Sequence, residues 1–261
     1  MKTVIVQSYR TCDVPQWIVS CIESVRAWAD TNRWDYTFVD DSFFSLAPEW
    51  ARRRCGENIY AVADLCRLQL LKNMLEIGYE RAVWVDADVL IFTPANLDIS
   101  TIDGHGFAYE LFFHLEPDGR YSALEGLNNS LMVFEKGQEV LCQYLAASLD
   151  LLRQAPEGLI PRTALAPALL QKVLPHIEPG RIYGVGLFTL AMMNEIANRG
   201  GRLINEYVRA VPAPLGAANL CHFLRNEAPL SQRGLFDRMY MFAVEKLMSK
   251  GSNALMQAST Q

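Results

Sequence analysis

The sequence predicts an α/β fold with a mixed, mainly parallel central sheet flanked by helices, on three observations. It opens strand, helix, strand; its clearest helix directly precedes a second run of apolar, β-forming residues; and 51% of its 261 residues are hydrophobic, enough for a substantial core. Parallel strands need a crossover between them, usually a helix, and that is the order found here.

In chain order, Lys2 to Gln7 (KTVIVQ) reads as a short buried strand. Pro15 starts a helical pattern in which Trp17, Ile18, Cys21, Ile22, Val25 and Trp28 share a face. Tyr36 to Val39 is the second strand and ends at Asp40-Asp41. Ile59 to Ile77 is helical by the spacing of Val62, Leu65, Cys66, Leu68 and Leu75, with Gly78 placed to close it. A turn at Tyr79-Glu80-Arg81 leads to Ala82-Val83-Trp84-Val85, then Asp86-Ala87-Asp88, then Val89-Leu90-Ile91-Phe92 and the stop signal Thr93-Pro94. Ser130 to Phe134 reads as a strand, Gln138 to Leu152 and Ala164 to Val173 as helices, Arg202 to Val211 as a further strand, and Phe236 to Met248 as a closing amphipathic helix. No repeat or linker divides the chain, so residues 1–250 are expected to form a single domain and residues 251–261 a flexible tail.

A net charge of −5 provides no general positive field for a phosphate backbone, which argues against nucleic acid as a partner. Cysteines 12, 21, 55, 66, 142 and 221 have neither CxxC spacing nor the density of a disulfide scaffold; they read as reduced, mostly buried thiols and argue against a structural zinc site. The opening turns polar after Val4-Ile5-Val6, short of a signal-peptide core, and no later stretch reaches membrane-spanning length, so the expected location is cytoplasmic. The stripe Phe236, Met239, Tyr240, Ala243 and Leu247 reads as core packing, with peripheral membrane contact as the alternative.

An apolar run interrupted by two acids in alternate positions asks for a chemical explanation. Burying a strand up to Asp86 and Asp88 costs their charges hydration, and such carboxylates persist when paired or metal-bound. In extended chain, residues i and i+2 point the same way, so both acids are expected to reach one ion while Ala87 turns aside. Hard Mg2+ or Mn2+ prefers oxygen ligands, and an open ion of this kind can neutralise the charge that builds on a departing diphosphate. A bare DxD triplet is also an ordinary strand-end turn, so the context has to decide.

That context resembles the GT-A-fold glycosyltransferases, a Rossmann-like nucleotide-diphospho-sugar transferase fold. Two branches match: the DxD sugar-transferases related to the yeast initiating α-1,6-mannosyltransferase, and the glycogenin and bacterial galactosyltransferase type. Val4 to Arg10, Asp13-Val14-Pro15, Ser20 to Ser24 and Trp34 to Asp41 are similar to the first branch's opening strand, helix and second strand. Ala63-Asp64-Leu65-Cys66-Arg67 resembles its SDxxR helix motif, and Val85 to Val89 its acid pair. Asn128 to Phe134 resembles the NNA or NAG stretch of both branches, and His222 to Leu230 the HFxGxxKPW segment of the second. Departures are Gly78 to Arg81 in place of a GGIY connection, and Arg225, Ala228 and Leu230 where that segment has glycine, lysine and tryptophan. Arg225 is the candidate replacement for the missing cation at Ala228.

The resemblance implies a metal-dependent hexosyltransferase using a UDP- or GDP-sugar, a glycan, lipid-linked or protein acceptor, and retention of anomeric configuration. Asp64 and Arg67, three apart on one helix face, would hold the donor sugar's hydroxyls, and Asn128 or Asn129 the donor or acceptor sugar. His222 would join Asp86 and Asp88 as a ligand of Mn2+ or Mg2+. Ser8 and Tyr9, at the carboxyl end of the first strand, complete a donor-binding set with Asp64, Arg67 and the triplet Asp86, Ala87, Asp88. The acceptor pocket is expected in the stretch from Glu110 to Leu127. Arg52-Arg53-Arg54 reads as a solvated loop, Gly184-Val185-Gly186 lacks the third glycine of a dinucleotide loop, and His105, His114 and His176 have no comparable context.

Two rivals remain. A non-catalytic nucleotide-sugar sensor is compatible with the missing lysine. Ala82 to Val89 also fits the DxDx[TV] pattern of aspartyl-nucleophile phosphatases, although those carry it near the chain start with an acidic pair downstream, whereas Asp40-Asp41 lies upstream.

Overall fold

Alternation along the first strand decides what packs on each face of the sheet. In a computed structural model, which describes residues 1–116, 118–173, 178–198, 200–223 and 229–256, β1 is Thr3–Ser8. Val4 and Val6 face one hydrophobic cluster, and Ile5 faces another. The neighbouring strand β3, Arg81–Val85, divides likewise, with Ala82 and Trp84 on the first side and Val83 and Val85 on the second. All are buried, so this part of the sheet is covered on both faces.

Helix α1, Gln16–Thr31, covers the second face with Val25, Trp28 and Ala29. Its amino-terminal half turns Trp17, Ile18 and Cys21 into a third cluster shared with the C-terminal helices. Opposite lie α2, Glu49–Cys55, α3, Ile59–Glu76, and α4, Val140–Gln154. Asn58 caps α3 by accepting the Ala61 N–H at 3.2 Å. At the other end Gly78 takes φ +114°, a conformation open to glycine, and delivers the chain to β3.

With β2 at Asp35–Val39, β5 at His105–Leu115, β6 at Tyr121–Glu135 and β7 at Gly180–Ile182, the six-stranded sheet runs β2-β1-β3-β6-β5-β7. β2, β1 and β3 are parallel, β6 is antiparallel to β3 and β5, and β7 is parallel to β5. The fold is thus a mixed, mainly parallel sheet between helices, as the opening pattern indicates. Order reverses between β1 and β3, and at such a switch point α/β sheets place ligands beyond the carboxyl ends of the strands. A second sheet, order β4-β9-β8, comprises Val89–Ile91, Ala217–Asn219 and Val185–Leu187.

Several expectations are corrected. Arg202–Ala210 is a helix, α7, because Ile204 and Tyr207 are buried three apart, a helical spacing. Arg52, Arg53 and Arg54 close helix α2 and do not form a loop; basic side chains in a last turn complement the helix dipole. The strand expected from Ser130 starts earlier, at Tyr121, so Asn128 and Asn129 lie within β6, and residues 110–115 and 121–127 form two long antiparallel strands. After α5, Pro167–Val173, and α6, Leu190–Ala197, the long helix α8, Leu230–Lys250, packs Tyr240, Ala243, Val244 and Leu247 into the core. The tail expected from Gly251 begins with a helical turn, α9, Asn253–Met256, whose Leu255 is buried. Of the described residues, no helix is long and apolar enough to cross a membrane.

Candidate active site

The acid pair sits where β3 hands the chain to the second sheet. The expected extended geometry is not what forms: Asp86 leaves β3, Ala87 and Asp88 turn, and the Val89 N–H donates back to the Asp86 carbonyl at 3.1 Å. A turn is required because β3 and β4 belong to different sheets. It is braced from three sides. Gln7, fully buried at the end of β1, donates to the Asp86 carbonyl at 3.2 Å and accepts from Tyr36 Oη at 2.9 Å; the Asp86 N–H donates to the Ser130 carbonyl at 2.7 Å; and Leu220 N–H donates to the Asp88 carbonyl at 3.0 Å.

Asp86 Oδ1 accepts the Trp84 indole N–H at 2.6 Å and pairs with Arg67 Nη1 at 3.2 Å. Arg67 also lies 3.4 Å from Asp64 Oδ1, donates to the Asn129 carbonyl at 3.1 Å, and stacks over the Trp84 ring at 5.2 Å. Asn129 Nδ2 donates to Asp64 Oδ1 at 2.9 Å. Asp64 and Arg67, three apart on α3, therefore meet Asp86 and Asn129 in one lattice. Burial raises Asp64 and Asp86 to about 6; Arg67 pulls both down, while Asp86 pushes Asp64 up and Asp88 pushes Asp86 up.

Asp88 Oδ2 accepts the His222 backbone N–H at 2.7 Å, and burial raises this carboxyl too, against the lowering effect of that bond. The segment reaching it is a tight hook. Cys221 adopts φ +52°, a conformation that costs a non-glycine residue about 1–2 kcal/mol. It is held by its N–H on Asn219 Oδ1 at 3.0 Å and by Tyr240 Oη on the Leu220 carbonyl at 3.0 Å. The His222 ring is set by aromatic neighbours: Nε2 is 3.2 Å from Tyr9 Oη, and Trp17 lies 5.6 Å away between centroids. Ser8 and Tyr9 emerge at the carboxyl end of β1, with Tyr9 N–H on the Val39 carbonyl at 3.3 Å.

On β6 the register shifts: Phe107 pairs with Met132 but Ala108 with Asn128, which leaves residues 129–131 outside that ladder. The bulge sends the two asparagines to different partners. Asn129 joins Asp64, whereas Asn128 Nδ2 donates to Glu110 Oε2 at 2.7 Å. Glu110 is a buried carboxyl on β5 that also accepts Ser130 Oγ at 2.6 Å and Asn219 Nδ2 at 3.4 Å. Burial pushes it up to about 8; Ser130 and Asn219 lower it, and Asp86 and Asp88 raise it further.

Every sequence-expected residue in the described part, Ser8, Tyr9, Asp64, Arg67, Asp86, Ala87, Asp88, Asn128, Asn129 and His222, belongs to these linked contacts or flanks them. Arg225 and Ala228 lie outside the described residues, as does His176. Gln7, Trp84, Ser130 and Asn219 join the site without being expected as site residues, and Glu110 is expected only as the start of the acceptor stretch. Glu110 carried a readable signal, an acid in the apolar run Phe107 to Phe113, of the same kind that marked Asp86. Among the described residues, no three His, Cys, Asp or Glu side chains converge as a ready-made metal cage. The chemistry of the donor set still fits a hard cation: two adjacent carboxylates, each using one oxygen for the contacts above, supply part of a coordination shell that phosphate and water oxygens can complete.

No protein-family model matches the chain, and no curated protein matches it in sequence. Among solved structures it is similar to a glycosyltransferase involved in the glycosylation of the major capsid of PBCV-1, at 14% identity and TM-score 0.49, over 91% of this chain and 98% of that one. It is also similar to the galactosyltransferase LgtC in complex with donor and acceptor sugar analogs, at 12% identity and TM-score 0.42, over 93% and 95% of the two chains. The PaToxG glycosyltransferase matches at 12% identity and TM-score 0.35, over 97% and 86%. At such identities the chemistry has to be read from this chain's own side chains.

Proposed function

We propose that the chain is a metal-dependent glycosyltransferase that moves a hexose-type sugar from a UDP- or GDP-sugar to a glycan, lipid-linked or protein acceptor. The observation that carries the proposal is the position of Asp86 and Asp88. They are two half-buried carboxylates on a braced turn at the carboxyl edge of the β1/β3 switch point, with Asp64, Arg67 and Asn129 locked alongside.

Asp86 and Asp88 would hold Mn2+ or Mg2+, with His222 as a further ligand. When bound, the ion supplies positive charge to the departing diphosphate. The chain's own residues do the rest. Tyr9, beside the ends of β1 and β2, offers a ring for the base. Asp64 accepts and Arg67 donates hydrogen bonds to sugar hydroxyls, and the fixed guanidinium adds a preorganised positive charge at the reacting end of the donor. Retention of configuration is the outcome the family resemblance implies.

The test is a thermal-shift screen of UDP- and GDP-sugars with and without Mn2+, followed by assay of donor hydrolysis. A donor that binds the native state raises the melting temperature. The proposal expects a shift that needs Mn2+, and nucleoside diphosphate release that disappears in Asp88→Asn. Mn2+-dependent binding with no release across donors and acceptors would favour the sensor reading instead.

A further inference from the structure

Glu110 is only 4% exposed and has no part in the donor contacts proposed above. Asn128 Nδ2 bonds its Oε2, while Ser130 Oγ and Asn219 Nδ2 bond its Oε1. Neither amide can turn over. Asn128 Oδ1 is held by the Ser130 N–H at 2.9 Å and Asn219 Oδ1 by the Cys221 N–H at 3.0 Å, and a backbone N–H only donates. Both NH2 groups therefore face Glu110, one on each of its oxygens. Position 110 must accept on both, and any proton it carries has one place to go, between Oε1 and the Ser130 hydroxyl, which can reverse its role.

Both arms of this arrangement end at the acid pair. The Ser130 carbonyl accepts the Asp86 N–H at 2.7 Å. Cys221, fixed through Asn219, precedes His222, whose N–H holds Asp88 Oδ2 at 2.7 Å. We propose that Glu110 is a positioning residue: by accepting from Asn128 and Asn219 at once, it fixes the backbone on either side of Asp86 and Asp88 and pre-sets the two carboxylates for a divalent cation. The inference rests on the metal reading above.

The test is E110Q, alone and combined with N128D. The amide introduced by E110Q meets an NH2 group in either orientation. N128D removes the conflict, because the new carboxylate accepts the Ser130 N–H on one oxygen and the amide N–H from position 110 on the other. The carbonyl oxygen at 110 then still serves Ser130 and Asn219, and the pair carries the same charge as wild type with Glu110 ionised. Mn2+ affinity in the presence of UDP is measured by calorimetry on the full chain, with the melting temperature followed by circular dichroism. The expected result is that E110Q weakens Mn2+ binding by about tenfold or more and E110Q/N128D restores it, as for residues that orient metal ligands from behind. Unchanged Mn2+ affinity in E110Q overturns the inference, as does a double variant that recovers its melting temperature but not its affinity. Should E110Q not fold, the double variant decides alone: it must both fold and bind. Absence of Mn2+ binding by wild type overturns the metal reading and this inference with it, a failure visible before any variant is made.

Discussion

Arg67 Nη1 stands 3.2 Å from Asp86 Oδ1, joining helix α3 to the acid turn with both side chains largely out of water. Removing one partner of a buried pair leaves an uncompensated charge, which costs about 3–5 kcal/mol. Arg67→Met is expected to lower stability by that order in urea unfolding, and Asp64→Asn in the same chain to recover part of it. A loss below about 1 kcal/mol, the range of exposed pairs, would show that the lattice is solvated.

Trp84 has two roles that substitution can separate. Its ring stacks on Phe43 at 5.5 Å, and its N–H holds Asp86 Oδ1 at 2.6 Å. Trp84→Phe keeps much of the stacking and removes the N–H, so a loss of about 1.5–3 kcal/mol is expected, typical of a bond to a charged group. Thermal or urea unfolding measures it, and Mn2+ affinity should fall in parallel.

Asp64 and Asp86 are both raised to about 6 from an ordinary 3.8. An acid with a raised pKa binds its proton more tightly in the folded chain. Its contribution to stability is therefore fully present below about 4 and is lost as pH climbs through about 6. Metal binding has the opposite sign, since it needs the ionised carboxylates. Without metal, unfolding midpoints should decline between pH 4 and 6; with Mn2+, apparent affinity should rise over the same interval and then level. A flat affinity profile across that window would contradict the burial of these acids.

Asp88→Asn retains an oxygen to accept the His222 N–H, so the hook at Cys221 should survive. The melting temperature is expected to stay within a few degrees, the shift that follows from about 1 kcal/mol. Donor hydrolysis should fall by about 100-fold or more, the scale of losing a transition-state electrostatic contact. A comparable loss of folding would mean that the acid serves structure first.

Much of this arrangement was legible because local pattern and chemistry agreed. The strand-helix-strand opening, α3 with Asp64 and Arg67 on one face, and two acids ending an apolar strand each carry their signal within a few residues. The rest depends on contacts far apart in sequence. Gln7 reaches Asp86 across 79 residues, and Asn219 reaches Glu110 across 109. The turn at Ala87 follows from a change of sheet that no local pattern announces. Ile204, Tyr207, Val208 and Val211 are all β-forming residues, so 202–211 is ambiguous locally, and only the packing of Ile204 and Tyr207 settles the period.

The central claim, that Asp86 and Asp88 anchor a cation beneath a sugar nucleotide, is tested most directly by anomalous scattering from a crystal soaked with Mn2+ and a UDP- or GDP-sugar. The expected result is a manganese peak within coordination distance of both carboxylates, about 2.0–2.6 Å as for hard cations, with diphosphate oxygens on its open side. A peak elsewhere, or donor bound with both carboxylates turned away from it, would contradict the account.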